Sequence, residues 1–217
     1  MKQKRILGIE LGSTRIKSVL IDGNGQVLAM GAYDWENKLV DGLWSYDLDD
    51  AMIGLQASYA DLVKSYGAPI EKLDSIGISA MMHGYIAQDK SGKLLAPFRT
   101  WRNTNTAQAA GKLSDMFSFN VPMRWSVSQY YQSVLDGLDH VKNVAHLNTL
   151  SGYIHHLLTG ERVLGVGDAS GMFPIKDGDY NADMLSKLDA ELANCGINVG
   201  FRTLLPDRKS TRLNSSH

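Results

Sequence analysis

Residues 8–17 place an acidic side chain, a glycine turn, two hydroxyls and a lysine between two short apolar segments. The residues concerned are Glu10, Gly12, Ser13, Thr14 and Lys17. A tight turn of this kind presents backbone N–H groups, hydroxyls and an ammonium together, which suits the oxygens of a transferring phosphate. Glu10 adds a hard oxygen that can hold Mg²⁺ through water. The same residues also suit an ordinary polar hairpin, and the turn alone favours neither interpretation.

Two common glycine-rich nucleotide motifs do not fit this chain. The turn lacks the Gly-x-x-x-x-Gly-Lys-Ser/Thr pattern of the P-loop. Residues 165–171 come nearest to a dinucleotide fingerprint, but their glycine spacing is wrong and they open no evident helix. The apolar segments 6–9, 16–21 and 27–35 instead predict three strands in a meander, the last two joined by the hairpin signal at residues 22–25.

A second cluster of polar and aromatic residues follows a predicted buried strand at residues 75–81. Met82 and His83 come at the end of this strand, and Trp101, Arg102 and Asn103 precede a predicted helix. Ligands of open α/β sheets bind beyond the carboxyl ends of strands, and a polyol needs donors, acceptors and an apolar face. The alternative is that His83 and Trp101 are ordinary core residues that contact no ligand. Because the turn in residues 8–17, which suits phosphate, precedes this cluster in the chain, we favour the interpretation of the cluster as a sugar-binding segment.

The rest of the chain predicts an α/β fold with a mixed sheet. A helix is expected from Asp47 to Gly67, with the apolar face Met52, Leu55, Tyr59, Leu62 and Tyr66. Further helices are predicted at residues 104–116, 128–138 and 182–193. A helical apolar stripe is predicted in residues 145–158, formed by Leu147, Leu150, Ile154, Leu157 and Leu158.

Composition limits the class of protein and its partners. A formal net charge of −1 over 217 residues gives no basic footprint, which argues against nucleic acid as a partner. Cys195 is the single cysteine, so no internal disulfide is possible, and a cytoplasmic location is expected. No apolar run is long enough to predict a signal peptide or a membrane span.

Four segments together resemble the FGGY family of carbohydrate kinases, most closely its pentulose kinases. They are residues 8–17, 78–84, 100–103 and 167–171, and the likeness extends over about residues 5–206. The resemblance implies a ribonuclease-H-like (actin-like ATPase) domain, ATP and Mg²⁺ as cofactors, and a small sugar as substrate. It also allows a homodimer of the full-length protein. Other actin-like ATPases and a non-enzymatic sugar-binding protein of the same fold are the alternatives.

The resemblance assigns roles to the residues singled out above. Gly12, Ser13, Thr14 and Lys17 fall on the phosphate-facing turn, and Glu10 falls where the family usually has an aspartate near magnesium. Met82 and His83 fall on the family's sugar-contacting Met-His-Gly segment, followed by Trp101, Arg102 and Asn103. Asn103 stands where the family often has aspartate, which indicates a different substrate contact. No chemistry is assigned to residues 168–171.

The end of the chain is expected to be non-native. Residues 207–217 are polar, lack apolar periodicity and match one reading frame of a common sequencing adapter; a natural polar tail is the alternative. The kinase domain is therefore expected to span residues 1–206 and to be incomplete at its C-terminal end. In the resembling family the catalytic base is an aspartate in a Gly-Gly-Asp-Asn-like segment, expected beyond Pro206. The resemblance thus assigns no catalytic residue to this chain, and we expect the fragment to be inactive.

Overall fold

The computed structural model describes residues 4–208, which divide into two compact units between Met81 and Met82. We call them the N-terminal unit and the C-terminal unit and describe each by itself. Apart from Asp207 and Arg208, the segment predicted to be a non-native tail lies outside the described residues. No helix within residues 4–208 is both long and apolar enough to cross a bilayer.

The N-terminal unit is built on the predicted mixed sheet. Its elements are β1 (Arg5–Leu11), β2 (Arg15–Asp22), β3 (Val27–Asp34), β4 (Lys38–Val40), β5 (Leu43–Tyr46), α1 (Leu48–Tyr66) and β6 (Ser75–Ala80). The sheet order is β3-β2-β1-β6, with antiparallel neighbours except for the parallel pair β1 and β6. Apolar and polar residues alternate along β2, so that Ile16 and Leu20 are buried while Arg15 and Lys17 are exposed. This alternation leaves one face of the sheet for α1 and the other open.

Helix α1 begins and ends where the sequence predicts, because its caps are local. The Asp47 carboxylate accepts a hydrogen bond from the backbone N–H of Asp49, and Gly67 ends the helix in the left-handed conformation. Its buried face, however, differs from the prediction. The residues that are buried are Leu48, Ala51, Gly54, Ser58 and Leu62, whereas Met52, Leu55 and Tyr59 lie only partly buried beside them.

Close contact between α1 and β3 explains the small residues on that face. At Gly31 of β3, an added Cβ would lie 2.1 Å from the Ser58 carbonyl oxygen and 2.3 Å from the Leu62 nitrogen. On the neighbouring strand β2, the Ser18 hydroxyl also lies 2.8 Å from the Ser58 hydroxyl of α1. Backbone thus packs on backbone, and the bulky residues of α1 can only flank the contact.

Strand β6 is also less buried than predicted, with Ile76 49% exposed. It lies at the edge of the sheet, and among the described residues β1 is its one strand partner. All its residues are exposed or only partly buried, so an apolar run here does not mark a buried central strand.

The C-terminal unit combines short strands with helices. Its elements are β7 (Ile86–Gln88), β8 (Phe98–Arg99), α2 (Ala107–Phe117), α3 (Ser126–Leu135), a 3₁₀ helix (Asp139–Asn143), β9 (His146–Asn148), α4 (Leu150–Thr159), β10 (Val163–Leu164), α5 (Val166–Ala169), β11 (Ile175–Lys176), β12 (Asp179–Tyr180), α6 (Ala182–Asn194), α7 (Phe201–Leu204) and β13 (Asp207–Arg208). In its core the Phe201 ring packs against Tyr130 and Phe173, with ring centroids 5.4 and 5.6 Å away. Helix α3 lies in this core and is buried on all sides.

Three differences from the predicted elements have local causes. Leu147 belongs to β9 instead of a helix, because residues 146–148 pair with β7; Leu157 and Leu158, predicted to be core, are each 46% exposed. Helix α3 ends at Leu135, before Gly137 with its positive φ of 66°. The short helix α5 lies in the segment 165–171, where no helix was evident.

Candidate functional site

The turn between β1 and β2 is closed from within by Gly12. Its N–H donates to the Arg15 carbonyl oxygen at 3.0 Å, and an added Cβ would lie only 3.1 Å from that oxygen. The N–H of Gly12 is therefore used inside the turn. The Ser13 and Thr14 side chains are exposed, and their hydroxyls form no hydrogen bond within the described part of the chain. These two hydroxyls are the polar groups that the turn offers to a ligand.

Two aromatic residues that the sequence analysis did not identify hold this turn from behind. The Trp35 indole N–H donates to the Gly12 carbonyl at 2.8 Å, and the Tyr46 hydroxyl donates to the Ser13 carbonyl at 2.5 Å. The Trp35 backbone N–H donates to the Thr14 carbonyl at 3.1 Å. The two rings stack with centroids 4.3 Å apart. All three turn carbonyls are thus occupied, which fixes the turn without using its hydroxyls.

Glu10, Lys17 and Ser79 form a polar row across three strands. Glu10 is the register partner of Lys17 on β2 and of Ser79 on β6. The Lys17 ammonium lies 3.5 Å from the Glu10 carboxylate, and both side chains are about half exposed. An exposed pair of this kind contributes about 0–1 kcal/mol, so a phosphate or a cation can separate the two charges at little cost.

A hollow of about 490 Å³ lies beside this polar row on the open face of the sheet. Its floor is formed by Gly8 of β1 and by the register partners of Gly8, which are Gly77 on β6 and Val19 on β2. No atom lies within 4 Å of the position of a Cβ on Gly77, and the nearest to one on Gly8 is 3.9 Å away. The two glycines therefore create open space next to Glu10 and Lys17.

Glu10 is the acidic side chain that this site offers to a metal ion. Among residues 4–208, no three His, Cys, Asp or Glu side chains come together to hold a metal ion. Mg²⁺ does not need such a cage, because it keeps several waters and is held by one or two carboxylates plus substrate phosphates. Glu10 is compatible with that arrangement, because it is exposed and is followed in the sequence by the exposed residues Ser13 and Thr14.

The predicted sugar segment of the C-terminal unit has an unusual backbone. His83 and Gly84 have φ values of 69° and 98°. At Gly84, an added Cβ would lie 2.7 Å from the Phe98 ring and 2.8 Å from the Arg99 carbonyl oxygen, so only glycine fits. Met82 is exposed and His83 is partly buried. A strained non-glycine residue of this kind is more common at functional sites than elsewhere.

The second part of the predicted sugar segment follows β8. Tyr85 and Arg99 form an antiparallel bridge. The residues that precede Tyr85 and those that follow Arg99 therefore lie at the same end of this bridge. Trp101 and Arg102 are exposed. Asn103 is buried, and its side-chain amide donates to the Thr100 carbonyl at 3.1 Å. Asn103 thus closes the turn that exposes Trp101 and Arg102, and its contact with sugar stays a prediction.

Charged groups around His83 were missed by the sequence analysis. Burial lowers the pKa of His83, the Arg124 charge lowers it further, and the Gly171 carbonyl and the Asp168 charge raise it. The His83 Nδ1 lies 3.4 Å from the Gly171 carbonyl oxygen. Asp168 and Gly171 belong to the glycine-containing segment 165–171, but no local pattern in the sequence indicates that this segment reaches a residue more than 80 positions earlier.

We expect the stability of the C-terminal unit to fall as the pH drops below about 6.5, the usual pKa of histidine. Burial lowers the pKa of His83, His140 and His146 in the folded chain. The unfolded chain then binds more protons, so stability is complete above the unfolded pKa and is lost as pH falls towards the folded values. Urea unfolding at a series of pH values checks this, and His140→Gln should make the dependence shallower. A free energy of unfolding that rises on acidification from pH 7 to 5.5 would contradict it.

Comparison with protein families and curated relatives identifies the chain. Residues 5–195 match the N-terminal domain of the FGGY family of carbohydrate kinases. Xylulose kinase of Klebsiella pneumoniae is 25% identical over 200 residues, which are 84% of this chain and 40% of that enzyme. Rhamnulokinase of Yersinia pestis (strain Pestoides F) is 25% identical over 160 residues, 69% of this chain and 32% of that enzyme. The chain thus spans two-fifths or less of the length of these relatives.

Solved structures of this family share the fold. A xyloylose kinase from Brucella ovis superposes with a TM-score of 0.81 at 18% identity, over 94% of this chain and 42% of that one. A gluconate kinase from Lactobacillus acidophilus superposes with a TM-score of 0.78 at 19% identity, over 96% and 42%. These likenesses confirm the predicted actin-like ATPase fold with its mixed sheet. The chain belongs to the FGGY family of carbohydrate kinases.

Proposed function

We propose that this chain is the N-terminal domain of an ATP-dependent kinase that phosphorylates a ketose, of the pentulose type, in the cytoplasm. The observation that supports this most is the match of residues 5–195 to the sugar-kinase family, combined with a turn whose Ser13 and Thr14 hydroxyls are exposed. Xylulose kinase and rhamnulokinase are both named for ketose substrates. The family match also goes against a chaperone or cytoskeletal ATPase.

Each unit has a separate task in this proposal. In the N-terminal unit, the Ser13 and Thr14 hydroxyls and the Lys17 ammonium bind phosphate oxygens, and Glu10 orients water on Mg²⁺. In the C-terminal unit, Met82 and Trp101 offer exposed apolar surface, and His83, Arg102 and Asn103 offer polar groups for sugar hydroxyls. ATP supplies the phosphoryl group, and Mg²⁺ neutralises charge on its phosphates.

The 217-residue chain itself is proposed to be inactive. Phosphoryl transfer to a hydroxyl needs a positioned base as well as charge stabilisation. In the resembling family this base is an aspartate in a Gly-Gly-Asp-Asn-like segment, and no such segment occurs in residues 1–217. Binding of the sugar does not need that aspartate, so the chain can bind substrate without turning it over.

Two measurements on the purified 217-residue chain test this proposal. Saturation-transfer NMR with xylulose, ribulose, rhamnulose, gluconate and glycerol should show contact with a ketose and weaker contact with the others. ADP release in the presence of ATP, Mg²⁺ and that ketose should stay at the rate without protein. Sugar-dependent ADP release would overturn the inactivity of the chain, and absence of contact with any of the sugars would overturn the assigned sugar segment.

A non-enzymatic sugar-binding protein of the same fold is the second candidate. Glu10 and Asn103 favour it, because the family usually has aspartate at the first position and often at the second. Sequencing the source DNA across codon 206 distinguishes the two candidates. A frame that continues into a Gly-Asp-Asn-like segment supports the kinase, whereas a stop codon directly after His217 supports the binding protein.

A further inference from the structure

The ring of His83 is fitted against the backbone of Gly171. At Gly171, an added Cβ would lie 2.7 Å from His83 Nδ1 and 3.1 Å from His83 Cε1, so no side chain fits between them. The Nδ1 atom lies 3.4 Å from the Gly171 carbonyl oxygen. His83 also has the positive φ of 69°, which costs free energy unless the surroundings hold it. Gly171 provides one of the contacts that hold it.

The backbone of Asp168 holds Gly171, and Ser151 holds the Asp168 side chain. The Gly171 N–H donates to the Asp168 carbonyl oxygen at 3.0 Å, which closes the turn after α5. The Asp168 side chain accepts a hydrogen bond from the hydroxyl of Ser151 in the first turn of α4. A continuous set of contacts therefore leads from α4 through Asp168 and Gly171 to the His83 ring.

Charged side chains near His83 also change its pKa. Burial lowers the pKa of His83 most, the hydrogen bond with Gly171 raises it, Arg124 lowers it, and Asp168 raises it. The pKa of Asp168 is itself raised by burial, and the Ser151 hydrogen bond and the His83 charge act against that rise. The Arg124 carbonyl oxygen accepts the N–H of Gly84, the residue next to His83, at 3.3 Å. The charges of one acidic and one basic side chain thus act on His83 in opposite directions.

We propose that Asp168, held by Ser151, is a positioning residue for His83. It fixes the 168–171 turn so that the Gly171 carbonyl accepts the Nδ1–H of His83. The imidazole then keeps its proton on Nδ1, and Nε2 is left as a hydrogen-bond acceptor for a sugar hydroxyl. The last step rests on the proposed function, whereas the tautomer of His83 and its dependence on Asp168 do not.

The tautomer of His83 can be measured in the 217-residue chain without activity. Long-range ¹H–¹⁵N correlation spectra of the ¹⁵N-histidine-labelled chain resolve Nδ1–H from Nε2–H, and His83→Gln assigns the signal among the six histidines. We expect the Nδ1–H form in the native chain. Asp168→Asn should lower the pKa of His83 and mix its tautomers, and Ser151→Ala should act in the same direction to a smaller extent.

Asp89→Asn is the matched control, because Asp89 lies in an exposed turn of the same unit and faces His146. It should shift the titration of His146 and leave His83 unchanged. If Asp168→Asn does not fold, Ser151→Ala provides the test. An Nε2–H tautomer in the native chain, or a His83 titration unchanged by both Asp168→Asn and Ser151→Ala, would overturn the proposal. If these results hold but no ketose perturbs the His83 signals, the positioning of His83 stands and the proposed sugar contact fails.

Discussion

Gly31→Ala should destabilise the N-terminal unit by about 3 kcal/mol, near the upper end of overpacking effects. The added methyl group would meet the Ser58 carbonyl oxygen at 2.1 Å and the Leu62 nitrogen at 2.3 Å. Both are backbone atoms of α1, so no side-chain rotation relieves the clash, and the whole helix must move away from β3. Urea or thermal unfolding followed by circular dichroism measures the loss. Against a typical total stability of about 5–15 kcal/mol, a loss of this size is large.

Gly77→Ala provides the control for Gly31→Ala within the same sheet. No atom lies within 4 Å of its added Cβ, so the free energy of unfolding should change by no more than about 0.5 kcal/mol. Both variants replace a strand glycine by alanine, and the difference between them therefore reports the contact with α1. Equal stability of the two variants would show that α1 does not pack on β3 as described.

Glu10→Gln should lower the kcat of the full-length gene product by about 10- to 100-fold, the usual effect of losing a group that orients a metal's ligands. The amide cannot replace a carboxylate in holding water on Mg²⁺, so the Mg²⁺ concentration needed for half-maximal rate should also rise. The fold should not suffer, because Glu10 is exposed and its pair with Lys17 is a surface ion pair. ADP release at increasing Mg²⁺ measures both effects.

Glu10→Asp is the matched control, because aspartate restores the carboxylate that the resembling family usually has here. It should retain much of the activity and the native Mg²⁺ dependence. Lys17→Gln separates loss of the ion pair from loss of the carboxylate and should leave the Mg²⁺ dependence unchanged. Unaltered kinetics in Glu10→Gln would show that Glu10 has no part in holding the metal.

Features set by neighbouring residues were predictable from the sequence. Asp47 and Gly67 mark the two ends of α1 as predicted, and Asn181 caps α6 through its own side chain, because capping acts within a few residues. The hairpin after Asp22 also forms as predicted, with its carboxylate accepting from the N–H groups of Asn24 and Gln26. The exposed turn of Ser13 and Thr14 likewise depends on neighbouring residues, because Gly12 and Arg15 close it.

Features set by distant contacts were not predictable. The buried face of α1 differs from its most apolar face because Gly31 brings β3 close enough to exclude large side chains. Trp35 and Tyr46 hold the turn between β1 and β2 through hydrogen bonds to its backbone carbonyls, and such bonds leave no pattern in the sequence. Asp168 reaches His83 through Gly171, a contact between residues 88 positions apart. Periodicity records which residues are apolar, but not how closely two backbones approach.

The rate of ketose-dependent ADP release by the full-length gene product is the direct test of whether this chain is part of a sugar kinase. One or more ketoses should stimulate ADP release from ATP and Mg²⁺, with formation of the sugar phosphate. His83→Ala should abolish most of this stimulation, and circular dichroism of the variant checks that it still folds. A folded full-length product whose ADP release no sugar stimulates would contradict the claim that this chain is part of a sugar kinase.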